Sequence, residues 1–233
     1  MHAVLFDLDD TLYDHTHAIR AALQEVAAAA PALLRHGSDG LFREYDKALD
    51  DVHPRVVAGE LTFEQARALR YERLLAWCGD DTSDAQELAQ IQVAAYRRHE
   101  CLVEHAESLL QALRQAGVKL GIVTNSVRSE QEAKLERMGI DRHFDALIVS
   151  GDHQVAKPDP RLLHIALHAI DAQASQTVFV GDRVQIDVHG AQAVGMRAVW
   201  FDRGWRDEGR ALPAGAHRLT TLNPTVALPV LLG

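Results

Sequence analysis

The chain has 233 residues, of which 47% are hydrophobic and 24% charged, and its formal net charge at pH 7 is −9. This composition is typical of a globular protein with one large domain, or with a core domain and a smaller insert. The excess of acidic residues argues against sequence-independent binding to nucleic acid, because that binding depends on neutralising phosphates with Lys and Arg.

The chain carries two cysteines, Cys78 and Cys101, without CxxC spacing, and we expect both to be reduced thiols. No Lys or Arg precedes the short apolar run near the N-terminus, so the pattern of a signal peptide is absent. No apolar stretch approaches the length of a transmembrane helix. We therefore predict a cytoplasmic protein that does not bind membranes.

The first predicted element is a strand at residues 3–8, "AVLFDL". Residues 15–100 then contain no convincing strand and are rich in Ala, Leu, Glu, Gln and Arg, which favours helices. The helices predicted in this block cover residues 17–30, 62–78 and 84–99, the second of them capped by Thr62. The block is therefore predicted to be a helical insert.

From about residue 100 onwards, predicted helices and strands alternate. The strands cover residues 119–124, 145–150, 177–181 and 197–201, and the helices cover residues 108–117, 129–139, 159–170 and 186–195. Apolar strands that alternate with amphipathic helices indicate an α/β protein with a mostly parallel sheet covered on both faces. The tail after Arg210 gives no clear pattern.

Polar residues collect where the predicted strands end. In open parallel sheets, ligands bind beyond the carboxyl ends of the strands. The residues placed there or shortly after are Asp7, Asp9, Thr124, Asn125, Lys157, Asp182 and Asp187. Carboxylates, a hydroxyl group and an ammonium group from separate strand ends are the parts of a magnesium-assisted phosphoryl-transfer site.

The spacing of these residues suggests their roles. An extended chain points alternate residues the same way, so Asp7 and Asp9 can face one ligand. The first carboxylate can attack phosphorus, and the second can protonate the leaving oxygen and later take a proton from water. Asp182 can complete a set of oxygen ligands for Mg²⁺. Lys157 and Thr124 can contact the phosphoryl oxygens.

Four segments resemble, in this order, the motifs of the haloacid dehalogenase-like hydrolase superfamily: "DLDDT" (7–11), "TNS" (124–126), "KPDP" (157–160) and "GDRVQID" (181–187). The resemblance covers about residues 1–14 and 100–205. It implies a Rossmann-like parallel-sheet core formed by residues 1–14 and 101–233. It also implies that residues 15–100 form a helical cap domain, like that of subfamily I, inserted after the first strand.

For the site, the resemblance implies a covalent aspartyl-phosphate intermediate. Asp7 would be the nucleophile and Asp9 the general acid/base. The implied Mg²⁺ ligands are Asp7, Asp9 through its backbone carbonyl, and Asp182, with Asp187 supporting the metal site.

The resemblance further implies that Thr124, Asn125 and Lys157 bind the phosphoryl group. Two positions depart from the pattern common in the family. Asp10 stands where many members have Gly, and Arg183 stands where many have Ser or Thr. Neither change removes a catalytic group, and we interpret Asp10 as a plain surface or turn acid, whereas the role of Arg183 stays open.

The leading hypothesis is a Mg²⁺-dependent phosphatase that hydrolyses a small phosphorylated metabolite. A phosphomutase shares its first step, and a 2-haloacid dehalogenase shares its fold but needs neither a metal nor the second acid. Phosphonate cleavage would require a lysine in the cap to form an imine, and Lys47 is the only lysine in residues 15–100. A non-catalytic binding module would be expected to lack at least one catalytic group, and none is missing.

The identity of the phosphate ester stays open among nucleotides, phosphoglycolate and sugar phosphates. His15 and His17 lie just after the first motif, and either a hinge role or a substrate contact is compatible with that position. We expect a monomer or a small homo-oligomer.

Overall fold

The computed structural model describes residues 3–204 and 212–233. The chain divides into two compact units, one formed by Met1–Asp14 with Leu102–Gly233 and the other by His15–Cys101. Each unit has a hydrophobic core of its own. Within the described ranges, no helix has both the length and the apolar character needed to cross a membrane.

The first unit is built on one six-stranded sheet. Its strands are β1 (Ala3–Phe6), β2 (Lys119–Thr124), β3 (Ala146–Val149), β4 (Thr177–Gly181), β5 (Arg197–Phe201) and β6 (His217–Leu219). Their order is β3-β2-β1-β4-β5-β6, and every pair is parallel. The order reverses between β1 and β4, which is the point where ligands bind in such sheets. The predicted α/β, Rossmann-like core is therefore confirmed.

Ten α-helices accompany these strands in the part of the chain that the structure describes. They are α1 (His15–Ala29), α2 (Gly37–Val57), α3 (Phe63–Cys78), α4 (Ala85–Arg98), α5 (Ala106–Gln115), α6 (Arg128–Met138), α7 (Ser150–His153), α8 (Pro160–Ala169), α9 (His189–Ala193) and α10 (Pro224–Leu232). A π-helical turn, Val184–Val188, precedes α9. The predicted helix at 186–195 therefore begins earlier than expected, and its first turn is wider than an α-helical turn.

The first strand is shorter than predicted, because the chain turns sharply after Asp7. The carbonyl of Leu8 accepts hydrogen bonds from the backbone amides of Thr11, Leu12 and Tyr13. Asp10 adopts a left-handed conformation with φ of 63° within this turn. Asp is one of the residues that tolerates such a φ, which explains how it can stand where glycine is common.

The second unit contains α1 to α4. The predicted cap of α3 is confirmed as a capping box, in which Thr62 Oγ1 accepts from the Gln65 amide (3.2 Å) and the Thr62 amide donates to Gln65 Oε1 (2.9 Å). Helix α2 was not singled out from the sequence. It has no side-chain cap at its start and contains Pro54, so the usual signal for a helix start is missing and a helix-breaking residue lies within its span.

Candidate active site

Asp7 lies immediately beyond β1, in the middle of the sheet. Its backbone amide donates to the carbonyl of Val180 on β4 (2.9 Å), which continues the pairing of the two strands by one residue. The side chain is buried, and Thr11 Oγ1 donates to its Oδ2 (3.3 Å). The sheet and the following turn thus fix both the backbone and the carboxylate of Asp7.

Lys157 joins two carboxylates of the site. Its Nζ atom donates to Asp7 Oδ1 and to Asp187 Oδ1, each at 2.7 Å, and the residue is only 4% exposed. Lysine is rarely buried to this extent unless it is paired. The ammonium group therefore belongs to the site.

The electrostatics of this pair follow from burial and charge together. Burial is the main reason why the pKa of Asp7 is raised to about 7; Lys157 opposes this rise, and the negative charge of Asp187 adds to it. For Lys157, burial alone would lower the pKa, but the charges of Asp187 and Asp7 outweigh it and raise the pKa above its ordinary value. Lys157 is thus held as a cation.

Three buried carboxylates, those of Asp7, Asp182 and Asp187, form a cluster whose ligand atoms lie within 4.8 Å of one another. Asp182 follows β4, and its carbonyl accepts from Trp200 Nε1 (2.9 Å). Asp187 Oδ2 accepts from the backbone amide of Arg183 (3.0 Å). Position 183 therefore contributes to the site through its backbone amide, which every residue type except proline supplies.

The cluster has the donor chemistry of a magnesium site. It offers hard carboxylate oxygens from three acidic groups, and the ammonium group of Lys157 pairs with two of them, Asp7 and Asp187. Because buried like charges repel one another, a divalent cation would be favoured there. The residues present therefore fit Mg²⁺.

Gly181 is the point at which the backbone makes room for this cluster. A Cβ atom at position 181 would lie 2.4 Å from Asp187 Cγ, which is closer than atoms can approach. Glycine is thus required at the end of β4 by the side chain of Asp187 rather than by an unusual φ.

We expect the Gly181→Ala variant to displace Asp187, to lower the free energy of unfolding by about 1–3 kcal/mol and to reduce turnover. Urea denaturation and phosphate release measure the two effects. Gly190→Ala is the matched control, because a Cβ there would meet its nearest neighbour at 3.4 Å, an ordinary contact. Equal behaviour of the two variants would contradict the steric explanation.

Asn125 holds the loop that carries Lys157. Its Nδ2 donates to the Lys157 carbonyl (2.9 Å), and its Oδ1 accepts from the Lys157 amide (2.8 Å). The structure thus shows Asn125 positioning Lys157. Thr124, the last residue of β2, is buried at the same edge of the sheet.

A family model described as haloacid dehalogenase-like hydrolase matches residues 1–195. The chain belongs to the haloacid dehalogenase-like hydrolases. The resemblance carried by the four sequence motifs is thereby confirmed.

Known phosphatases are among the relatives of this haloacid dehalogenase-like hydrolase. The phosphoserine phosphatase of Thermus thermophilus is 34% identical over 232 residues, covering 89% of this chain and 91% of the relative. The ribulose-1,5-bisphosphate 5-phosphatase of Halopiger xanaduensis is 32% identical over 202 residues, covering 86% and 84% of the two chains. These relatives confirm the predicted class, a phosphoric monoester hydrolase.

The fold is also shared with solved structures. A haloacid dehalogenase-like hydrolase from Bacillus subtilis, determined with magnesium bound, has a TM-score of 0.76, 22% identity and 99% coverage of both chains. At this identity, the likeness shows the fold alone.

The Asp9 carboxylate is not one of the three that form the cluster in the described part of this hydrolase. Lys134 Nζ forms an ion pair with Asp9 Oδ1, and Gln131 Nε2 donates to Asp9 Oδ2 (3.3 Å). Sequence reasoning missed both α6 residues. The sequence of α6, "RSEQEAKLERM", is so polar that it is typical of a solvated helix, so it gave no signal of a buried face.

A second ion-pair group follows the first motif. Arg203 Nη1 donates to Asp14 Oδ1 (2.8 Å) and lies 3.6 Å from Asp10 Oδ1. Asp10 is a turn residue, but its side chain is buried, so its placement on the surface was wrong. The nearby charge of Arg203 explains how the Asp10 carboxylate can be buried. Arg203 lies about two hundred positions away in sequence, so the motif alone did not indicate this ion pair.

The two histidines after the first motif contact other residues of the helical unit. His15 Nδ1 is 2.7 Å from the Tyr96 hydroxyl, and the ring of His17 packs edge-on against His99. Both contacts lie within the helical unit. Asp152, which also follows a strand, pairs with Arg128 (2.6 Å) and is not part of the carboxylate cluster.

Proposed function

We propose that this haloacid dehalogenase-like hydrolase is a Mg²⁺-dependent phosphatase that acts on a small phosphate monoester through an aspartyl-phosphate intermediate. The observation that carries this proposal is the buried group of Asp7, Asp182, Asp187 and Lys157 at the switch point of the sheet. Together these residues offer a nucleophile, a set of metal ligands and a fixed positive charge.

In the first step, an oxygen of the Asp7 carboxylate attacks phosphorus and forms a new P–O bond. The bond from phosphorus to the ester oxygen breaks, and its electron pair goes to that oxygen. The oxygen takes a proton from the Asp9 carboxylic acid, so the product alcohol leaves neutral and Asp9 becomes a carboxylate. Lys157 would contact the phosphoryl oxygens and offset their growing charge.

In the second step, a water oxygen attacks phosphorus of the aspartyl-phosphate, and the Asp9 carboxylate takes one of its protons. The P–O bond to Asp7 breaks with its electron pair returning to the carboxylate, and inorganic phosphate leaves. Asp9 has then changed from acid to base and back within one turnover. Thr124 and Asn125 complete the proposed phosphate-binding residues, Asn125 by holding Lys157.

The proposed metal ligands are the side chains of Asp7 and Asp182 and the backbone carbonyl of Asp9, with Asp187 supporting them. When bound, Mg²⁺ would reduce the repulsion between the Asp7 carboxylate and the phosphate oxygens. The same buried carboxylates that repel one another without a cation would then become a stabilising feature.

We expect treatment with EDTA to abolish phosphate release and added Mg²⁺ to restore it. Mg²⁺ should also raise the midpoint of thermal unfolding, because a ligand at 100 times its dissociation constant stabilises the folded state by about 2.7 kcal/mol. Phosphate release and a thermal scan, each with EDTA and with Mg²⁺, measure the two effects. Turnover that is unchanged in EDTA would overturn the metal-dependent mechanism.

The substrate class proposed is a small phosphorylated metabolite, such as a phosphorylated amino acid or sugar. The phosphoserine and ribulose-bisphosphate phosphatases found as relatives support this class. A panel of monoesters that includes phosphoserine, sugar phosphates, phosphoglycolate and nucleoside monophosphates tests it. Transfer of phosphate between two positions of a sugar phosphate, without release, would instead indicate the phosphomutase.

The dehalogenase has less support than the phosphatase. It needs neither the metal ligands nor the second acid, whereas this chain brings Asp182 and Asp187 to Asp7 and retains Asp9. A non-catalytic module would have no use for a complete set of these groups. We further propose that the unit His15–Cys101 is the cap domain and contributes substrate specificity. The cytoplasmic location and the oligomeric state stay predictions.

A further inference from the structure

Helix α6 presents polar side chains to the interior of its unit. Gln131 is 2% exposed and Lys134 is 8% exposed, and both lie beside the buried Leu135. Residues three apart lie on the same helix face, so the two polar groups point together into the protein. Burying a charge in this way is costly unless it is paired.

Both polar groups meet the same partner. Lys134 pairs with one carboxylate oxygen of Asp9, and Gln131 donates to the other. The ammonium group of Lys134 also lies 4.4 Å from the ring centroid of Tyr13, which adds a cation–π contact. One face of α6 therefore holds the Asp9 carboxylate by both of its oxygens.

We propose that Lys134 and Gln131 are positioning residues for Asp9, which fix the orientation of its carboxyl group for the proton transfers of the proposed mechanism. The inference rests on the proposed function, in which Asp9 is the acid of the first step. It assigns to α6 a role in the chemistry that none of the four sequence motifs contains.

The physical reason is geometric, because one contact to each carboxyl oxygen restricts rotation of the Asp9 side chain. A general acid must lie within hydrogen-bond reach of the leaving oxygen, so a side chain that turns freely transfers its proton less often. The benefit of this orientation depends on how much the leaving group needs that proton. Alkoxides of serine or sugars need it, whereas 4-nitrophenolate leaves readily without it.

Lys119 lies in the same unit but contacts only backbone carbonyls and Asp171 among the described residues. Its Nζ atom donates to the carbonyls of Ile170 (2.8 Å) and Asp171 (2.9 Å), away from the candidate catalytic residues. Lys119→Met removes the same charge with the same change of side chain as Lys134→Met. It is therefore the matched control.

The test compares kcat/KM of the full chain with Mg²⁺ on two esters: 4-nitrophenyl phosphate and the alkyl phosphate that the wild type hydrolyses fastest. We expect Lys134→Met to lose at least about 10-fold more activity on the alkyl ester than on the nitrophenyl ester. Lys134→Arg, which keeps the charge, should recover most of the difference, and Lys119→Met should affect both esters alike.

Gln131→Leu keeps the ion pair and gives a second measurement if Lys134→Met does not fold. Like Lys134→Met, it should lower activity on the alkyl ester more than on the nitrophenyl ester, but by a smaller factor. Equal losses of activity on both esters in the folded variants, or no loss, would overturn the inference. The phosphatase proposal would still stand, because it depends only on the activity of the wild type. A wild type that releases phosphate from no ester would overturn both.

Discussion

Replacing Asp7 by Asn is expected to lower kcat by at least about 10³-fold, because the variant has no carboxylate to attack phosphorus. The amide has nearly the same shape, so the variant should still fold. Asp7 also pairs with Lys157, and Lys157 keeps its second partner, Asp187, in the variant. Asn therefore removes the nucleophile while it preserves the packing of the site.

Phosphate release measures this loss, and mass spectrometry of quenched enzyme should show the added phosphoryl group in the wild type only. Asp152→Asn is the matched control, because Asp152 also follows a strand but pairs with Arg128 outside the carboxylate cluster. It should retain wild-type turnover. Full activity of Asp7→Asn, or a phosphorylated variant, would show that another residue is the nucleophile.

The catalytic candidates were accessible from the sequence because parallel strands align their carboxyl ends. Once the apolar runs are recognised as parallel strands, the residues that follow them must lie at one edge of the sheet. The structure brings Asp7, Asp182, Asp187 and Lys157 together there, although they come from three different motifs. Local apolar patterns and this topological rule identified the edge of the sheet, and the motif resemblance assigned the roles.

The supporting residues could not be predicted in the same way. Lys134 and Gln131 lie on a helix whose polar sequence reads as a solvated surface, and only the tertiary structure shows that this face is buried against Asp9. Arg203 reaches Asp10 and Asp14 from beyond β5, a pairing that no local pattern encodes. Long-range pairs between charged residues depend on the completed fold.

Two short elements were not predicted, and the end of β1 was misplaced, for a different reason. The strand β6 has three residues, and α10 contains Pro229 within its span, so neither offers a periodic pattern long enough to identify. The turn after Asp7 shortens β1 because three amides compete for the carbonyl of Leu8. Short elements and tight turns are decided by individual hydrogen bonds rather than by periodicity.

Replacing Lys157 by Met is expected to cost both activity and stability in the metal-free protein. The variant leaves Asp7 and Asp187 buried without the ammonium group that lies 2.7 Å from each. Removing one partner of a buried ion pair typically costs about 3–5 kcal/mol. In the proposed mechanism Lys157 contacts the phosphoryl group, so loss of its positive charge should reduce kcat by about 10²–10³-fold, as for other removed electrostatic contacts.

A divalent cation should restore the stability of Lys157→Met but not its activity, and this difference identifies the role of Lys157. Mg²⁺ can neutralise the carboxylates that the lysine leaves behind, so it should raise the thermal midpoint of Lys157→Met more than that of the wild type. It cannot supply the charge on the side of the phosphoryl group that Lys157 occupied, so turnover should stay low. Thermal scans and phosphate release in EDTA and in Mg²⁺ measure both, with Lys119→Met as the matched control. Recovery of turnover together with stability would show that Lys157 only balances the charge of the carboxylates.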